Sequence, residues 1–116
     1  MASYFKPKNL IKLNYKKRLS IHLSAVLVNN FANSLYAEAD NILKSTDKKL
    51  TIRDLLPLIK QTALKLESTS PKNAQTGPSK RGDKEVLKKH LSIIENKKVR
   101  ELYKLFNTLI KEQQDA

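Results

Sequence analysis

The sequence predicts an all-α fold, and three observations carry that reading. No segment alternates apolar and polar residues with period two for long enough to make a strand. Four segments instead repeat apolar residues at the three- and four-residue spacing of an amphipathic helix. Nearly all the turn formers lie in one stretch, residues 68–82, rather than at the regular intervals of a hairpin protein. A length of 116 residues suits one domain, and 40% hydrophobic residues are enough for one modest core. The expectation is a basic, partly disordered lead-in over residues 1–16 and a single helical domain over residues 17–116.

Residues 1–18 carry Lys6, Lys8, Lys12, Lys16, Lys17 and Arg18 without one acid, and Pro7 opposes an early helix. From about Lys17 to Lys44 the chain is rich in Leu, Ala and Val with neither Gly nor Pro, so one long central helix is expected. Thr51-Ile52-Arg53-Asp54 resembles a capping box with Asp in place of Glu. Ile52, Leu55, Leu56, Ile59, Ala63 and Leu66 then repeat at helical spacing, predicting a second helix over 52–67 that Pro57 should bend. Residues 68–82 read as one long loop. Asp83 suits the N-cap of a third helix, whose stripe of Val86, Leu87, His90, Leu91 and Ile94 runs to about Glu95. After a turn at Asn96-Lys97-Lys98, Val99, Leu102, Tyr103, Phe106, Leu109 and Ile110 predict a fourth helix ending in the polar tail 113–116.

Composition excludes several chemistries. With no cysteine there is no disulfide framework, thiolate metal site or Cys nucleophile, and the default compartment is the cytoplasm. Gly77 and Gly82 are the only glycines, too few for the G-x-G-x-x-G turn of a dinucleotide-binding domain. Their spacing is that of a P-loop, but Asp83-Lys84 stands where Lys-Ser/Thr is required and Pro78 removes an amide donor. Arg81-Gly82-Asp83 matches an adhesion tripeptide, a three-residue pattern too short to weigh in a chain that reads as intracellular. Two distant histidines without an H-x-x-x-H or H-E-x-x-H pattern predict no metal site. Leu19–Ala37 lacks charge over nearly the length of a membrane span, but His22, Asn29, Asn30 and Asn33 would need partners in the hydrocarbon, so no membrane insertion is expected.

Two places could hold chemistry. At about 100° per residue, His22, Val26, Asn29, Asn33, Tyr36 and Asp40 fall on one narrow polar seam of the long helix, opposite Leu23, Leu27, Phe31, Leu35 and Ile42. Buried hydrogen bonds between helices would explain that seam, and so would a ligand-facing surface on which His22 moves a proton and Asn29 and Asn33 orient a polar substrate. The second place is Gln75-Thr-Gly-Pro-Ser-Lys-Arg-Gly-Asp83, where turn residues, a hydroxyl and two cations offer anion contacts; the alternative is a plain helix connection capped by Asp83. His90, on an apolar stripe, reads as a satisfied packing residue without chemistry. The balance of 23 Lys and Arg against 11 Asp and Glu gives a net charge of +12. A small nucleic-acid-binding module is therefore the alternative function, although solvated lysine faces explain the charge better because stacking aromatics are scarce. A protein-packing adaptor is a third.

Taken together, Arg18-Leu-Ser-Ile-His22-Leu-Ser-Ala-Val-Leu-Val-Asn29-Asn-Phe-Ala-Asn33 and Thr76-Gly77-Pro78-Ser-Lys-Arg81-Gly82-Asp83, followed by His90-Leu91, resemble the helical C-terminal domain, a domain of unknown function, of a Rossmann-like NAD(P)-dependent oxidoreductase family. That family is similar to the deazaflavin-dependent NADP oxidoreductases, pyrroline-carboxylate reductase and 6-phosphogluconate dehydrogenase. The resemblance covers residues 10–112. It implies a bundle like the 6-phosphogluconate dehydrogenase C-terminal domain, built around one long central helix, that closes a small-molecule substrate cleft and forms a homodimer. It also implies that His22 is the candidate catalytic residue and that Asn29, Asn33, Thr76, Gly77 and Arg81 bind substrate. NAD(P) would be held by the family's N-terminal Rossmann domain. These residues do not encode that domain, so the chain is expected to be a fragment, or a half that needs a partner chain, and inactive in hydride transfer by itself.

Overall fold

The computed structural model describes residues 14–116, which form helices joined by short turns with no strand among them. The basic lead-in expected over residues 1–16 falls, apart from its last three residues, outside the described part. The chain divides into two compact units, one ending at Asp54 and one spanning Leu55–Ala116.

The first unit is dominated by the long helix, which starts two residues earlier than its composition suggests because Asn14 caps it: its Oδ1 accepts from the Lys17 amide at 2.9 Å. It is not one regular α-helix. Helix α1 (Tyr15–Ala25) passes through a π-helical segment, Val26–Phe31, into helix α2 (Ala32–Thr46). A π turn holds more residues than an α turn, so side chains before and after it slip in phase by up to about one residue, or ~100°. Asp47 ends α2 in extended geometry. The chain is then tied back on itself, because Asp40 Oδ1 accepts from the Ile52 amide at 2.8 Å while its other oxygen meets Lys44 Nζ at 2.7 Å.

The Thr51–Asp54 box forms with its acid shortened by one carbon. The Thr51 amide donates to Asp54 Oδ2 at 2.8 Å and Thr51 Oγ1 accepts from the Arg53 amide at 3.2 Å, opening a 3₁₀ turn at Ile52–Leu55. In the second unit, helix α3 (Leu56–Leu64) carries Pro57 in its first turn, where a missing N–H and a fixed φ disturb nothing, and the chain closes with a 3₁₀ turn at Lys65–Glu67. The expected bend at Pro57 is thus replaced by a helix start. For the same reason the stretch 68–82 is not one loop. It contains helix α4 (Pro71–Ala74), capped by Ser70, and helix α5 (Pro78–Arg81), each begun by a proline.

Helix α6 (Lys84–Ile93) starts at the Asp83 cap as expected, Oδ1 accepting from the Val86 amide at 3.2 Å, and ends two residues short of Glu95. Helix α7 (Lys97–Asp115) starts at Asn96, whose Oδ1 accepts from the Val99 amide at 3.1 Å, and absorbs most of the expected polar tail. Helix α5 packs on both α6 and α7. No side chain among the described residues is fully buried: Val28 is 77% exposed, Ile93 71% and Phe31 56%. Among the described residues, the hydrophobic content does not close a buried core. No described helix is long and apolar enough to cross a membrane.

Candidate functional site

The predicted site residues are divided between the units. His22 on α1, Asn29 inside the π segment and Asn33 on α2 all stand exposed on the long helix of the first unit. The uniform spacing that aligned them does not hold, because the π turn intervenes between His22 and Asn33. Phase slip turns His22 away from Asn33, Tyr36 and Asp40 by up to about 100° relative to a straight α-helix. Asp40 is committed to structure: the Lys44 ammonium, and then the Ile52 amide, hold its carboxyl below the usual carboxylate range.

In the second unit, Thr76 and Gly77 line a cavity of about 220 Å³, together with Pro78 and Ser79 at the start of α5. Arg81 is exposed, one turn further on, and is not part of the lining. The loop is pinned at both ends. On one side the Gln114 amide donates to the Lys72 carbonyl at 3.0 Å and Lys72 Nζ donates to the Ala116 carbonyl, fastening α4 to the end of α7. On the other, Gly82 in the left-handed conformation (φ 68°) closes α5: its N–H reaches the Ser79 carbonyl at 3.3 Å and the Asp83 N–H reaches Pro78 at 3.0 Å. These are the two bonds of a Schellman cap. Gly77 has φ 101° and ψ 172°, a backbone region that only glycine adopts without strain.

The opposite wall comes from the helices. His90 on α6 and Tyr103 on α7 touch edge to face, with ring centroids 5.8 Å apart at 87° and Nδ1 hydrogen-bonded to the phenol oxygen at 2.8 Å. Phe106, Asn107 and Ile110, one and two turns further along α7, complete the wall. Burial pushes the Tyr103 phenol above its ordinary value. The other imidazole nitrogen has no hydrogen-bond partner among the described residues.

Sequence reasoning missed this wall. His90 reads as packing because it falls on the apolar stripe of its helix, and Tyr103 falls likewise on the apolar stripe of the fourth helix. The usable signal was polar residues recurring within apolar stripes: His90 on α6, and Tyr103 with Asn107 at i,i+4 on α7. Among the described residues no three His, Asp or Glu side chains converge as metal ligands.

The profile of a domain of unknown function, DUF2520, matches residues 7–110. Among solved structures, a crystal structure of a "putative NADP oxidoreductase" from Bacteroides fragilis superposes with a TM-score of 0.82 at 39% sequence identity over 88% of this chain. The chain spans 39% of the length of that protein. No curated protein matches significantly.

Proposed function

The chain belongs to the DUF2520 family, and from that premise we propose that it is the helical substrate-cleft and dimerisation domain of an NAD(P)-dependent oxidoreductase. The observation that carries the reading is the 39% identity, over nearly the whole of this chain, to a part only of a protein described as an NADP oxidoreductase. More than half of that protein lies outside the match, which leaves room for a dinucleotide-binding domain.

The described residues form no Rossmann glycine turn. Gly77 and Gly82 flank the four-residue α5, and no strand leads into a glycine turn. Nicotinamide, held by the remainder of the longer protein, would supply the hydride. This chain's part is binding and proton movement, and each unit contributes its own groups: in the first, Asn29 and Asn33 offer paired donors and acceptors and His22 can give or take a proton; in the second, Thr76 and Gly77 present the pinned loop, and Arg81, exposed and outside the cavity lining, offers a fixed positive charge. The exposed row of Leu19, Leu23, Leu27, Phe31 and Leu35 is the surface for a second copy, because covering it removes apolar area from water at roughly 25 cal/mol per Å².

The test is turnover of reduced nicotinamide by the longer protein that carries both halves. His22→Ala and Arg81→Ala each lower kcat/KM by about tenfold or more with unchanged helical circular dichroism. Wild-type kinetics in both variants would overturn the assignment.

A further inference from the structure

The cavity of the second unit has a chemistry of its own that narrows what it can hold. None of the side chains lining it is a carboxylate, ammonium or guanidinium. A charged ligand would find no Lys, Arg, Asp or Glu counter-ion in the lining. Phe106 and Ile110 supply a flat apolar wall, and about 220 Å³ exceeds the ~150 Å³ that suffices for benzene, leaving room for one short substituent. Polar groups then fix orientation. The one side-chain hydrogen bond within the lining, among the described residues, joins His90 Nδ1 to Tyr103. That bond holds the imidazole and leaves its second nitrogen uncommitted among the described residues, and Thr76 adds a hydroxyl-bearing residue to the lining.

We propose that this cavity binds an uncharged ring carrying a carboxamide or hydroxyl group, with the second imidazole nitrogen of His90 hydrogen-bonded to that group and Phe106 and Ile110 against the ring face. His90 and Tyr103 thereby join Thr76 and Gly77 around the ligand, His90 in contact and Tyr103 as its positioning residue. That the ligand is the substrate of a reductase rests on the function proposed above; the binding itself does not.

Saturation-transfer NMR on the 116-residue chain, with benzamide as the neutral probe and benzoate and benzylammonium as its charged counterparts, tests this. Benzamide is expected to bind at least about fivefold more tightly than either ion. Thr76→Val and Tyr103→Phe should each weaken it by about three- to tenfold, and Ile110→Trp, which fills the cavity, should abolish transfer. Circular dichroism checks that each variant is folded; if Ile110→Trp loses helicity, Thr76→Val, an exposed loop change, decides. No transfer to benzamide from the folded wild type, equal transfer to all three probes, or unchanged binding in the folded variants would overturn the proposal. Benzamide binding as expected, with no nicotinamide turnover by the longer protein, supports the cavity and overturns the reductase reading. Turnover indifferent to Tyr103→Phe, without benzamide binding, does the reverse.

Discussion

Tyr103 and His90, thirteen positions apart and on different helices, meet through a 2.8 Å hydrogen bond between the phenol oxygen and Nδ1. Because burial raises the phenol from its ordinary value of 10.0, the folded state holds this proton where the unfolded chain has begun to release it. The stability that comes from the raised value is therefore constant below pH 10 and falls as pH rises beyond it. An ultraviolet difference titration of the wild type against Tyr103→Phe should give a tyrosinate midpoint above 10; a midpoint at or below 10 would contradict the burial argument.

Gly77 and Gly82 make separable demands. Nothing lies within 4 Å of a Cβ built at either position, so an alanine meets only backbone strain. Gly77→Ala should cost about 1–3 kcal/mol, because its φ and ψ are essentially closed to other residues. Gly82→Ala should cost about 1–2 kcal/mol, and Gly82→Asn less, since asparagine tolerates the left-handed region. Urea unfolding midpoints of the three variants provide the ranking, and an unaffected Gly77→Ala would show that the loop takes another conformation.

Asp40 should make the first unit sensitive to acid. Its lowered value means that the stabilisation from Lys44 and the Ile52 amide is fully present above the ordinary carboxylate value of 3.8, and is lost as pH falls through the depressed one. Asp40→Ala should be less stable than the wild type at neutral pH and converge with it in strong acid. A stability gap independent of pH would mean that the carboxylate charge contributes nothing.

The exposed apolar row on the long helix predicts self-association. Sedimentation should show a dimer for the wild type, and Leu27→Asp or Phe31→Asp should shift it towards monomer, since each would place a charge in a covered apolar surface. A wild type that remains monomeric at high concentration would remove the dimer from the proposed function.

Helix positions and most caps were legible because they depend on near neighbours. Asp83 and the Thr51–Asp54 box act within three residues, and the structure uses both. The bend expected at Pro57 and the loop expected through Pro71 and Pro78 give way to helix starts, because a proline breaks a helix interior but suits a first turn, and only the position of the start distinguishes the two. The cavity was half legible. Thr76 and Gly77 sit in a conspicuous motif, whereas His90 and Tyr103 acquire meaning only when α6 and α7 come together, a contact that no periodicity within either helix encodes.

The π turn at Val26–Phe31 amounts to one residue more than a plain α-helix would need between α1 and α2. A single-codon deletion there, at Asn30 for example, would leave composition and helicity almost untouched, yet it would swing every side chain of Tyr15–Ala25 about a quarter turn relative to Ala32–Thr46. Reading-frame-preserving indels should consequently be tolerated far less in this helix than point changes of the same residues. Here chain length, counted in single residues, carries information that substitution profiles would overlook.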